Sequence, residues 1–220
     1  MQKLEETKKE PPKWRREPEK RPNDILDGAL IEFCSRGFMG ARIEDIARHA
    51  GLSKGTVYLY FDSKEEMLKA LVRRSVTPIA QNMGDIAGHI SDHNSSAVQI
   101  LTSMLMMMAG RLSDDKIGAI PPLIIGEAGN FPELATFYRE EVIEKAMKAL
   151  KMVIEFGIKR GEFRKENSDF AIRTLIGAVF MQIIWNNIFV RANEEKLPYE
   201  EFIRAHINIF LNGIVVPKEA

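Results

Sequence analysis

The sequence predicts an all-α protein, an amino-terminal three-helix helix-turn-helix unit followed by a larger helical domain, on three observations. Residues 43–68 hold two short amphipathic patterns, a glycine turn and a capped third helix start within 26 positions. Past residue 72 apolar residues keep recurring at helical spacing, and no stretch alternates with the period of two that marks a half-buried strand. Glycines, prolines and small polar residues fall where helices begin and end.

Residues 1–22 form a composition island with four prolines and no aliphatic stripe, read as a disordered arm. Lys13, Arg15, Arg16, Lys20 and Arg21 cluster there, which suits either an arm tracking phosphates or a solvated tail, given its five glutamates. A first helix is expected over residues 25–36, opening a unit that spans 23–75. In the second, Ile43, Ile46, Ala47 and Ala50 make one apolar face while Glu44, Asp45 and Arg48 point away from it. Gly51 ends that helix in a left-handed turn, Ser53 caps a short helix over 54–60, and Ser63 with Glu66 forms a capping box for the next. Ala47, Gly51 and Val57 stand where two steeply crossing helices need a small residue, a turn and an aliphatic plug.

The remaining residues, 76–220, read as helix after helix. Pro78 closes or bends the fourth helix, a helix covers 95–111, Pro121-Pro122 interrupts the next segment, and Pro132 opens a long helix reaching Arg160 before Gly161. Residues 170–190 are apolar almost all round, and Tyr199, Phe202, Ile203, His206, Ile207, Phe210, Leu211 and Ile214 repeat at helical spacing. One small domain has little room to cover both segments. Pairing them with their twins across a two-fold axis gives a four-helix bundle, with Phe170, Leu175, Val179, Ile183, Phe202, His206 and Phe210 as the candidate homodimer contacts.

The stretch GFMGARIEDIARHAGLSKGTVYLYFDSKEEMLKALV, residues 37–72, resembles the DNA-binding signature of TetR-like (tetracycline-repressor-type) transcriptional regulators, and residues 25–36 fit the helix before it. The resemblance is detailed over 23–75 and architectural beyond, although IGEAGNFPELATFYRE is similar to a segment of one branch of TetR-like effector domains. It implies that the first helix supports the motif, the short third helix enters the major groove of double-stranded DNA, and the larger region binds an effector and dimerises. One departure stands out: members often carry Thr just before the second helix, where this chain has Ala41-Arg42.

The candidate DNA contacts follow. Lys54 suits guanine O6 and N7 or a phosphate, Gly55 lets the backbone approach the groove, and Ser53 lies at the same helix end. Thr56 and Tyr58 carry hydroxyls suited to phosphates, roles the resemblance also gives them. Lys64 sits at a helix start where an anion is favoured, Arg42 is a phosphate candidate, and Tyr60 faces either DNA or core. Two such helices one duplex turn apart, roughly 34 Å, would read a palindromic operator.

For a small apolar or amphipathic effector the candidates are Met104, Met107 and Met108, adaptable in shape, with Trp185, Asn186 and Phe189 as walls and polar handle, and Glu127 and Phe131. Ordinary helical core explains the same residues. The expected function is a DNA-binding transcriptional regulator, a repressor released when the effector selects a dimer conformation that no longer fits the operator. The alternative is a DNA-binding protein of the same fold without a small-molecule effector.

Composition fits both. Lysine plus arginine equals aspartate plus glutamate overall, but residues 1–75 carry 16 basic against 13 acidic side chains and the rest 15 against 18, so the proposed DNA end is the positive one. No phosphate loop, nucleophile elbow or HExxH pattern appears, which argues against an enzyme, a cofactor or a metal site. His89 and His93 alone have ligand spacing. Cys34, the single cysteine, reads as a small buried hydrophobe beside Leu30 and Phe38. A cytoplasmic location without membrane association is expected: no signal peptide opens the chain, and the longest apolar run, residues 175–190, has 16 positions against the roughly 20 a spanning helix needs.

Overall fold

The computed structural model describes residues 18–90, 95–191 and 193–214. The arm up to residue 17, with Lys13, Arg15 and Arg16, and the ligand candidate His93 lie outside them. Helix α1 (Arg21–Gly40) follows a single 3-10 turn and begins two residues before Asn23. It also outruns its expected end at Arg36, because Gly37, at φ 70° and ψ 168°, kinks the chain and a last turn continues beyond it. Helix α2 (Ile43–Ala50) crosses α1 closely: a Cβ on Gly28 would stand 2.8 Å from the Ile46 carbonyl oxygen. Gly51, at φ 67° and ψ 34°, turns the chain into α3 (Lys54–Tyr58), two residues shorter than its pattern suggests.

Helix α4 (Lys64–Ser75) starts with Ser63 Oγ accepting from the Glu66 amide at 3.2 Å. Only half the expected box forms, since the Glu66 carboxylate turns to Lys69 at 3.0 Å. A complete box closes instead at Ser96, with Gln99 as its reciprocal partner. Phe33, Ile46, Val57, Met67, Leu68 and Leu71 are fully buried and hold the three-helix unit together, each worth about 1.5–3 kcal/mol. Asp45 is buried as well rather than turned to solvent, held by Arg36 and Arg48. A carboxylate at that depth is tolerable because two guanidinium groups satisfy it.

The larger domain comprises α5 (Thr77–Gly88), α6 (Ala97–Leu112), α7 (Asp115–Gly118), α8 (Ile120–Glu127), α9 (Pro132–Tyr138), α10 (Glu144–Lys159), α11 (Ser168–Ile184) and α12 (Tyr199–Ile214). Pro78 sits in the first turn of α5 and a proline opens α8, where a missing amide costs nothing. A π-turn over Arg139–Ile143 joins α9 to α10, so the expected long helix exists with one wide turn in it. Helix α10 lies along α5 and α6, and α12 packs on α6 and α11. A Cβ on Gly157 would overlap the Phe163 ring at 2.3 Å, so glycine alone lets Phe163 fold back under α10.

The two domains share an apolar joint. The Phe38 ring of α1 meets Phe131 edge-on with centroids 5.2 Å apart, and the Arg73 guanidinium of α4 lies 4.8 Å over the Phe137 ring of α9. Cys34 is exposed rather than buried, lining a cleft of about 330 Å³ with Leu30 and Ile31, and partial burial pushes its thiol pKa up. The helical stretch Ser168–Phe189, 22 residues with a mean hydropathy of 1.3, is long and apolar enough to cross a membrane, unlike the 16-position run read from sequence. Here Ile172, Leu175, Val179 and Ile183 on one of its faces enter the domain core.

Candidate nucleic-acid interface

Helix α3 is short, capped and braced from beneath. Ser53 Oγ accepts from the Thr56 amide at 3.1 Å and shares a 2.8 Å hydrogen bond with the Thr56 hydroxyl, while Val57 alone faces inward, fully buried. The rest of the helix is turned out: Lys54, Gly55 and Tyr58 are exposed, and Tyr60 just beyond it is exposed too. A Cβ on Gly55 would touch nothing closer than Ser53 Oγ at 3.9 Å, so its surface is open to a close-approaching backbone. Arg42 stands exposed in extended conformation at the N-cap of α2, where no side-chain bond replaces the hydroxyl cap.

Two features of this face are invisible in the periodicity. Leu59, 81% exposed between the two tyrosines, is the most solvent-facing large apolar residue here, and an aliphatic side chain at such a place suits a thymine methyl group. Lys54 is engaged in the free protein: its ammonium lies 2.6 Å from Glu44 on α2, which lowers the Glu44 carboxyl pKa and raises that of Lys54. To reach a base or a phosphate, Lys54 must leave that carboxylate.

Lys64 is not available for a phosphate. Its ammonium donates to three carbonyl oxygens at the end of α1, Phe38 at 2.7 Å, Met39 at 3.1 Å and Ala41 at 3.0 Å, and lies 5.1 Å from the Phe38 ring centroid. All three of its protons are committed. The end of α1 at Gly40 leaves those carbonyls without helical partners, and Lys64 supplies the missing donors.

A family model described as bacterial regulatory proteins, tetR family, matches residues 25–71, the span of this reading head, and a second, described as tetracyclin repressor-like, C-terminal domain, matches residues 95–192. The chain belongs to the tetR family of transcriptional regulators. Its TetR-family relatives include the HTH-type transcriptional repressor KstR2 of Rhodococcus jostii, 24% identical, covering 90% of this chain and 92% of the relative. The fatty acid metabolism regulator protein of Bacillus subtilis is 23% identical over 89% of this chain and 97% of its own length. Among solved structures, the ketosteroid regulator KstR2 of Mycobacterium tuberculosis superposes with a TM-score of 0.67 at 22% identity, covering 90% of this chain and 96% of that one. The FadR regulator from Bacillus subtilis in complex with stearoyl-CoA gives 0.63 at 19% identity, covering 87% and 98%.

In this TetR-family chain the residues expected around an effector are not gathered at one cavity. Met104 is fully buried core, and Met107 and Met108 are half-buried against it. Phe131 is engaged by Phe38, and half-buried Glu127 accepts from Asn130 at 3.1 Å. Asn186 is no open handle: it accepts from Gln182 at 2.9 Å and donates to the Leu197 carbonyl at 2.8 Å, at the edge of a cleft of about 350 Å³. Trp185 and Phe189 face outward, 50% and 55% exposed, so they are not cavity walls.

The proposed dimer contacts divide in the same way. Leu175, Val179 and Ile183 lie in the chain's own core and cannot meet a twin, whereas Phe170 is 69% exposed. Phe202, His206 and Phe210 are half-buried along α12, with His206 Nε2 bonded to the Leu175 carbonyl oxygen at 2.9 Å. The outward apolar residues of this pair of helices are Phe170 and Met181 on α11, Trp185, Ile188 and Phe189 in the π-turn that extends it, and Ile209 on α12. Seen alone, a helix apolar all round does not reveal which stripe its own domain covers.

Proposed function

We propose that this TetR-family regulator is a cytoplasmic homodimeric repressor that grips a palindromic operator through paired α3 helices and is released by a small amphipathic effector. What carries the reading is the exposed pair Tyr58 and Leu59 at the end of a capped helix, large side chains turned to solvent where a duplex groove would cover them. Ser53, Lys54, Gly55 and Thr56 at its start and Arg42 beside it supply polar contacts to bases and phosphates. Dimerisation is supported by the exposed apolar line of α11 and α12, which a second copy would cover as a four-helix bundle.

Two relatives support the effector class. One is described as a regulator bound to stearoyl-CoA and another as a ketosteroid regulator, and both chemistries join a large apolar body to a polar group. Release requires that the ligand bind the operator-incompetent conformation more tightly than the competent one. The Phe38–Phe131 and Arg73–Phe137 contacts are the route by which a shift of α8 and α9 would turn the reading head. The test is selection of bound duplexes from a random pool, followed by titration of palmitoyl-CoA and a ketosteroid into the complex. An enriched inverted repeat and release by either compound are expected. A purified dimer that enriches no sequence at low salt refutes the DNA reading, and an operator complex indifferent to every ligand that binds the protein favours the effector-free alternative.

A further inference from the structure

Away from the reading head, a cleft of about 470 Å³ separates α10 from the start of α11. Its floor is apolar, formed by Ile143, Met147 and Ile172. Its walls carry four cations, Arg139, Lys148, Lys151 and Arg173, against two carboxylates, Glu144 and Asp169. Both carboxylates are already paired, Glu144 with Arg139 at 3.5 Å and Asp169 with Lys151 at 2.9 Å. Lys148 and Arg173 have no carboxylate partner among the described residues; Arg173 reaches only the Asp169 backbone oxygen, at 3.4 Å.

Lys148 also borders a second cleft, of about 310 Å³, between α5 and α10, whose walls include Ala80, Gly84 and Met152. A Cβ on Gly84 would meet no atom within 4 Å, so this slot is open. The wide π-turn at Arg139–Ile143 forms one end of the first cleft, a distortion that recurs at functional sites.

We propose that the α10–α11 cleft binds the phosphorylated head of an amphipathic molecule, with Lys148 and Arg173 as phosphate contacts and the α5–α10 slot taking its apolar body. The inference deepens the effector reading above and rests on it. A guanidinium fork and an ammonium, neither paired with a carboxylate, in a cleft where cations outnumber carboxylates, match a phosphate's charge and acceptors, whereas inorganic phosphate would leave the apolar floor unused. A soluble thioester and a membrane phospholipid offer this chemistry alike.

The experiment is calorimetric titration of the full-length protein with palmitoyl-CoA, with palmitoyl-pantetheine as a phosphate-free comparator and phosphatidylglycerol vesicles as a separate arm. Lys148→Glu and Arg173→Glu are each expected to weaken palmitoyl-CoA binding by about tenfold or more, since each puts like charge beside the phosphate. Lys159→Glu, at the far end of α10, should bind as the unaltered protein does. Gly84→Leu should block the slot while the melting temperature stays the same or rises, because leucine is the better helix former.

Charge reversals that leave affinity within about twofold, the range of an exposed bystander charge, overturn the proposal, as does palmitoyl-pantetheine binding as tightly as palmitoyl-CoA. Binding to vesicles with none to palmitoyl-CoA, lost on both reversals, supports the site and names the lipid headgroup as its source. Operator release by a ketosteroid with no binding of any phosphorylated amphiphile overturns this site and leaves the proposed function standing.

Discussion

Replacing Lys64 by Met removes an ammonium, with its contact to the Phe38 ring, and keeps an unbranched stem of similar length. Three hydrogen bonds are lost, to carbonyl oxygens 2.7, 3.1 and 3.0 Å away. A bond to a charged group contributes about 1.5–3 kcal/mol net when buried, but the site is half-exposed and water recovers part of it, so about 2–3 kcal/mol is expected for the set. For a chain of this size each kcal/mol moves the melting temperature by about 2–4 °C, giving a fall of about 4–12 °C by circular dichroism. Operator affinity should drop with the loosened end of α1, while the slope of log affinity against log salt stays the same. A phosphate contact behaves in the opposite way, leaving the melting temperature alone and flattening the slope by about 0.9. That second pattern would refute the assignment of Lys64 as a helix-end brace.

Gly28→Ala pushes a methyl group to 2.8 Å from the Ile46 carbonyl, so the usual helical gain from alanine is outweighed by about 1–3 kcal/mol of overpacking, measurable by urea denaturation. Glu44→Gln frees Lys54 from an exposed ion pair, and operator affinity by fluorescence anisotropy should rise by up to about fivefold. The Glu44 carboxyl titrates below its ordinary range in the free protein, so this gain is present near neutrality and shrinks as pH falls through that lowered pKa and the pair dissolves. Ile209→Glu should yield a folded monomer in sedimentation, whereas Leu175→Ala should cost about 2–5 kcal/mol of fold stability because its side chain lies within the chain's own core.

What could be read without coordinates was whatever depends on neighbours in sequence. The left-handed turn at Gly51, the caps at Ser53 and Ser63, the inward Val57 and the left-handed Gly161 all follow from the conformational limits of single residues, whereas Pro78, expected to close or bend the fourth helix, stands in the first turn of α5. Helical period named the apolar residues of α11 and α12 as well, yet it assigned Leu175, Val179 and Ile183 to a partner because nothing local distinguishes a stripe that faces one's own domain from one that faces a twin. Trp185 and Phe189 were read as cavity walls for the same reason, and turn out to be surface.

Sequence by itself determined the helical class and the reading head, because caps, turns and amphipathic faces are written in residues three or four apart. Only tertiary structure decided the employment of the charged groups: that Lys64 braces α1 from 23 residues or more away, that Lys54 rests on Glu44 ten residues back, and that Lys148 and Arg173 line one cleft. Such partners are chosen by how helices cross, and Coulomb attraction depends on distance through space, which spacing along the chain does not encode.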